Sequence, residues 1–89
     1  MRLTTRNLPH YLSELNDYGW DYRLVAGFVD GAYQLWVATY SREGLYTGEA
    51  LLVFVKSGKP RRMSRKGSVE CYAGRHGLLD KLVFQKGAL

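Results

Sequence analysis

A run of basic side chains between residues 56 and 66 is the stretch of this chain best suited to bind a ligand. Six of its eleven residues are lysine or arginine, and none is acidic. Such side chains neutralise phosphates and release condensed counterions, and arginine can form two parallel hydrogen bonds to one phosphate. Two basic residues further along could extend the surface. The predicted nucleic-acid-binding set is Lys56, Lys59, Arg61, Arg62, Arg65, Lys66, Arg75 and Lys81.

Residues suited to catalysis or metal binding are few. The only cysteine, Cys71, precedes His76 by five residues. This pair could form a nucleophile only if the fold brought the side chains together, and a lone cysteine is usually a small core residue. One cysteine and two distant histidines fall short of a zinc site, and no glycine-rich phosphate-binding motif occurs. We therefore predict a non-enzymatic protein without metal or cofactor.

The net charge of +5 is concentrated in the second half of the chain. Residues 1–50 carry four basic and six acidic side chains, whereas residues 51–89 carry nine basic and two acidic ones. Asymmetry of this kind indicates a polyanionic partner, either DNA or RNA. The alternative is a solvated basic face that only keeps a small protein soluble.

The segment after Asn7 predicts a first helix. Asn7 can cap free backbone N–H groups, and Pro9 is compatible with a first helical turn. Apolar side chains then recur with helical spacing from Leu8 to Tyr18. Gly19 follows and can end the helix in the left-handed conformation.

From residue 20 the apolar period changes to two, which predicts a strand over residues 20–28. Asp30 and Gly31 then indicate a type I′ hairpin turn. If Val29 pairs with Ala32, apolar side chains lie opposite apolar side chains along one face of the hairpin.

The other face of this hairpin is unusually apolar, because it carries Val25, Trp36 and Tyr40. One interpretation is a contact surface for a protein partner. The other is that the second helix or another subunit covers these side chains.

The remaining elements complete an α+β domain. Residues 41–49 predict a loop, and residues 50–55 are apolar on both parities, which is typical of a central strand. A second helix is predicted from Ser68, and residues 82–84 could add a short strand. The predicted fold is one domain over residues 1–89, an antiparallel sheet of three to four strands with two helices, in the order α-β-β-β-α with short extra strands allowed.

Two stretches of the chain, residues 7–22 and 64–66, are similar in sequence to a known family of domains. The run Asn-Leu-Pro-His-Tyr-Leu-Ser-Glu-Leu at 7–15, followed by Gly-Trp-Asp-Tyr at 19–22, resembles the opening of double-stranded-RNA-binding domains. Ser-Arg-Lys at 64–66 is similar to this family's lysine motif, which implies phosphate contacts across a groove. The alanine-rich continuation of the family's second helix is replaced here by Gly67, Glu70, Cys71, Gly74 and Gly77.

The C-terminal half resembles a second group of proteins. Gly-Lys-Pro-Arg-Arg-Met at 58–63, a polar link, a helix and Leu-Val-Phe at 82–84 are similar to small α+β accessory proteins of bacterial plasmids and phages. This resemblance implies that the gene belongs to a plasmid or phage, but it does not imply a particular activity.

These observations predict a cytoplasmic, non-enzymatic accessory protein that contacts nucleic-acid phosphates. No apolar run approaches the roughly 18 residues of a membrane span, and the first six residues lack a signal peptide's apolar core. The alternative is a small phage or plasmid module that binds or inhibits an acidic host protein through Val25, Trp36 and Tyr40. A homodimer is compatible with either prediction.

Overall fold

The computed structural model describes residues 2–85, which form one mixed sheet and two helices. In chain order the elements are β1 (Arg2–Leu3), α1 (Leu8–Tyr18), β2 (Asp21–Val29), β3 (Ala32–Tyr40), β4 (Tyr46–Leu52), β5 (Arg62–Met63), α2 (Lys66–Arg75), a single 3-10 turn (Leu79–Lys81) and β6 (Leu82–Phe84). The predicted α+β class with two helices is confirmed. Neither helix within residues 2–85 has the length and apolar character needed to cross a membrane.

The sheet is larger than predicted and not purely antiparallel. Its strands lie in the order β1-β4-β3-β2-β6, and β5 also pairs with β3. The three long strands are antiparallel, whereas β1 runs parallel to β4 and β6 runs parallel to β2. The prediction of three to four antiparallel strands therefore described only the centre of the sheet. The predicted short strand over residues 82–84 is confirmed as β6, whereas β1 and β5 have two residues each, which is too short for a recognisable period.

The β2–β3 hairpin has the predicted register. Val29 pairs with Ala32, and the ladder continues without a shift to Asp21 opposite Tyr40. Asp30 and Gly31 both have positive φ, at 50° and 82°, as a type I′ turn requires. A two-residue turn of this type fixes which residues lie opposite each other.

Helix α1 begins and ends at the predicted residues, Leu8 and Tyr18, but the predicted side-chain cap is absent. Gly19 adopts the left-handed conformation, and its N–H donates to Asn16. The side chain of Asn7 makes no cap hydrogen bond to the helix, so the predicted capping role is wrong. Its Oδ1 instead accepts from the backbone N–H of Thr4, because Asn7 already has helical dihedral angles.

Both helices pack against the same face of the sheet, where the hydrophobic core lies. α1 contributes Leu8, and α2 contributes one buried stripe of three residues. The core consists of Leu3, Leu8, Leu24, Ala26, Leu35, Val37, Ala50, Leu52, Val69, Tyr72, Ala73 and Leu78. The opposite sheet face is covered by no helix of residues 2–85.

The prediction of a buried central strand over residues 50–55 is wrong in extent. β4 begins at Tyr46, inside the predicted loop, and ends at Leu52. The chain then leaves the sheet as a short hairpin, closed by a bridge between Val53 and Pro60, and returns as β5. We call residues 53–61 the hairpin arm. Phe54 and Val55 are exposed there, because the excursion removes them from both layers.

Candidate functional site

The basic run divides between two sides of the sheet. Arg61 lies on the helix side, with its guanidinium carbon 4.8 Å from the ring centre of Phe54 and 5.3 Å from that of Tyr72. Its Nε is buried and makes no hydrogen bond within residues 2–85. Because Phe54 belongs to the hairpin arm and Tyr72 to α2, Arg61 fixes these two parts to each other.

Arg62 is the first residue of β5 and lies on the opposite side of the sheet. It pairs with Gln34 of β3, and its Nη2 donates to the carbonyl oxygens of Val29 at 2.6 Å and Asp30 at 2.8 Å. This arginine therefore holds the β2–β3 turn, and part of its donor capacity is already used.

Lys81 lies beside the first residues of β2. Its Nζ is 2.8 Å from the Asp21 carboxylate and 5.1 Å from the ring centre of Tyr22. A lysine with this carboxylate partner carries little unneutralised charge. It also lies apart from Lys66, whose Nζ is 4.6 Å from the ring of Phe84 at the other end of β6.

The other five predicted phosphate-binding side chains are exposed and form no ion pair within residues 2–85. Two lie on the hairpin arm and three at the two ends of α2. We call this set the α2–arm surface: Lys56, Lys59, Arg65, Lys66 and Arg75. Glu70 is the only acidic residue in residues 53–79, so the surface has a strong excess of positive charge.

The exposed side of α2 carries a shallow groove between two arginines. The groove has a volume of about 430 Å³ and is lined by Arg65, Gly67, Ser68, Cys71 and Arg75. Its small floor residues leave the guanidinium groups accessible to an anion. Cys71 is exposed here, so its interpretation as a core residue is wrong.

His76, the residue considered as the partner of a Cys71 nucleophile, has other contacts. The ring of His76 packs against Tyr72 with ring centres 4.5 Å apart. Burial lowers the pKa of His76, and the positive charges of Arg61 and Arg75 lower it further. The imidazole is therefore a neutral packing partner at physiological pH.

A second candidate surface is the sheet face opposite the helices, which we call the open face. The register places Leu51, Trp36, Val25 and Val83 in one row across four neighbouring strands. The interpretation that the second helix covers this face is wrong, because α2 packs on the other side. Trp36 is half-buried because its six-membered ring lies over Gly27, where an added Cβ would be 2.8 Å from Cζ3.

A polar cleft of about 490 Å³ lies at one end of the open face, and the sequence interpretation missed it. It is lined by Asp21, Arg23, Tyr40, Ser41, Arg42 and Gly44. Arg23 donates from Nη1 to the Asp21 carboxylate at 2.7 Å, and Arg42 donates from Nε to the carbonyl of Tyr18 at 2.9 Å. The hairpin register could have placed Arg23 beside Tyr40, but nothing in the sequence placed Arg42 there.

Asp21 is the electrostatic centre of this cleft. Hydrogen bonds from Lys81, from the N–H of Tyr22 and from Arg23 hold the pKa of Asp21 at about 2, below its usual 3.8. The carboxylate therefore stays ionised, and its charge is balanced by two neighbouring cations.

We expect Asp21→Asn to lower stability at neutral pH by up to about 1 kcal/mol, as for other exposed ion pairs. Because the folded-state pKa is depressed, this stabilisation is present above pH 4 and is lost as the pH falls toward 2. Urea unfolding at several pH values measures it. The wild type and the variant should converge near pH 2, and a constant difference down to that pH would contradict this role.

Comparison with protein-family models, with curated proteins and with solved structures finds no significant match to this chain.

Proposed function

We propose that this protein is a non-enzymatic, cytoplasmic accessory protein that binds nucleic acid through phosphate contacts from the α2–arm surface. The observation that supports this most directly is the absence of ion pairs at its five lysines and arginines within residues 2–85. Like charges gathered on one surface repel each other, and a polyanion removes that repulsion while releasing its counterions.

The geometry favours a fixed array of charges over a flexible basic tail. Arg61 between Phe54 and Tyr72 ties the arm, with Lys56 and Lys59, to the helix that carries the other three cations. A pre-ordered set of charges loses less conformational entropy on binding than a disordered one.

The residue types of the α2–arm surface also indicate how strongly it would depend on nucleic-acid sequence. Its lysines and arginines contact phosphates and can also bind guanine, but residues 53–79 contain no asparagine or glutamine that would recognise an adenine edge. Contacts to phosphates position a protein on nucleic acid but carry no sequence information. We therefore expect weak sequence preference.

The test is a fluorescence-anisotropy titration with short duplex DNA, duplex RNA and single strands at about 50 mM salt. Binding to at least one polymer, with similar affinity for unrelated sequences, is the expected result. No binding to any of them at this ionic strength would overturn the proposal.

The row of apolar side chains on the open face favours a second candidate function. A phage or plasmid module that inhibits an acidic host protein would use Val25, Trp36 and Tyr40 as anchors, and the basic surface would steer the encounter. Trp36→Ala would then abolish binding of that partner and leave the affinity for duplex nucleic acid unchanged. A homodimer through the same face would show as a change in mass by analytical ultracentrifugation.

A further inference from the structure

We propose that the open face binds single-stranded nucleic acid, with an unpaired base stacked on Trp36 and phosphates contacted by Arg23 and Arg42. This inference rests on the proposed nucleic-acid function. It adds a preference for single strands and a second contact surface, separate from the α2–arm surface.

The aromatic side chains of the open face are placed as a stacking surface. Trp36 lies over Gly27, where the side chain of Gln85 is the other near neighbour, so one side of its ring rests on the sheet. Tyr40 follows four residues later on the same side of β3, about 13 Å along the strand. Tyr46 packs edge-on against Tyr40 with ring centres 6.0 Å apart, which fixes the second ring.

Positive charge lies between and beside these rings. Arg23 is opposite Ala38 and so lies on the strand next to β3, midway between Trp36 and Tyr40. Within residues 2–85 its Nε and Nη2 make no hydrogen bond, and both Nη atoms of Arg42 are also without one. These groups can donate to phosphates from the cleft that both arginines line.

The carboxylates of this face do not cancel its positive charge. Asp21 is already hydrogen-bonded to Lys81 and Arg23, and Glu49 is opposite Ala38. The face and its cleft hold Arg2, Arg23, Arg42, Arg62 and Lys81, against Asp21 and Glu49 on the strands and Asp30 and Glu43 in the adjoining turn and loop. The cations outnumber the carboxylates, and the free N–H groups of Arg23 and Arg42 can contact an anionic strand at the cleft.

The chemistry of the face favours a single strand over the other occupants. Duplex bases are stacked on each other and offer no ring face, whereas unpaired bases stack on exposed aromatic side chains. Aspartate and glutamate are depleted at the centre of protein interfaces, whereas arginine, tryptophan and tyrosine are enriched there. On the open face the carboxylates Asp21 and Glu49 share the central strands with Trp36 and Tyr40.

The binding test compares Trp36→Leu with Trp20→Leu, using oligo(dT) and duplex DNA as probes. Trp20 lies before β2, packs on Tyr18 and is not among the residues that line the cleft, so it is the matched control. Stacking predicts that Trp36→Leu weakens oligo(dT) binding about five- to a hundredfold and leaves duplex affinity unchanged. Trp20→Leu should change neither affinity. Thermal unfolding monitored by circular dichroism shows whether each variant is folded.

A fluorescence measurement keeps the test valid if Trp36→Leu fails to fold. In Trp20→Phe only Trp36 emits, and oligo(dT) should quench that emission; in Trp36→Phe only Trp20 emits, and oligo(dT) should not quench it. The inference alone is overturned if polymers bind but Trp36 emission is unchanged, or if Trp36→Leu weakens oligo(dT) and duplex equally. If no polymer binds, both proposals fail and a protein partner becomes the remaining occupant of the face.

Discussion

Replacing Lys56, Lys59, Arg65, Lys66 and Arg75 with glutamine is expected to lower the affinity for duplex nucleic acid at least a hundredfold at about 50 mM salt. The five side chains are exposed and unpaired within residues 2–85, so their loss removes positive charge without breaking an ion pair. Each lost phosphate contact also removes one counterion-release contribution. The measurement is anisotropy with a labelled duplex.

The control for this variant keeps every charge. Exchanging lysine for arginine and arginine for lysine at the same five positions preserves the phosphate field and changes only the side-chain shape. We expect this control to bind within a few-fold of wild type. If the glutamine variant bound as tightly as the control, the α2–arm surface would not be the phosphate site.

Leu35→Ala is expected to cost about 2–5 kcal/mol of folding free energy. Leu35 is 0% exposed at the centre of β3, opposite Ala26 and beneath the helices. Truncation leaves a cavity that the neighbouring strands cannot fill, since both are fixed in register. A domain of this size has roughly 4–13 kcal/mol of net stability, so the variant should be severely destabilised or unfolded at room temperature.

Urea unfolding of Leu35→Ala and Leu79→Ala gives the comparison. Leu79 is 57% exposed in the 3-10 turn, so the same chemical change there should cost less than about 0.5 kcal/mol. Equal effects at the two positions would show that the core is not where the structure places it.

The centre of the fold could be predicted because its signals are local. Asp30-Gly31 determines the turn, the turn determines the register, and the alternation of apolar residues then separates the two faces. Gly19 similarly predicted the end of α1, because glycine readily adopts the left-handed conformation. The strand β6 was also predicted at residues 82–84, but its parallel pairing with β2, the strand β1 and the hairpin arm depend on contacts between distant residues. No local period distinguishes Phe54 from a core side chain.

The candidate site was predictable in composition but not in arrangement. The basic run was evident, yet its division depends on where the hairpin arm ends and β5 begins, since Arg61 contacts Tyr72 and Arg62 contacts the β2–β3 turn. Lys81 is paired with Asp21, which is sixty residues away in sequence, and so lies apart from the other basic side chains. The sequence identified Trp36 as a candidate contact residue. It could not show whether the second helix covers Trp36, because tertiary packing determines which face of the sheet that helix occupies.

The most direct test of the phosphate-binding account is the salt dependence of duplex DNA binding by the wild-type protein. Five phosphate contacts predict a slope of log affinity against log salt near −4.5, which is about a 500-fold loss of affinity between 50 and 200 mM salt. A slope near zero, or no measurable binding at the lowest salt, would contradict the central claim that the α2–arm surface binds nucleic-acid phosphates.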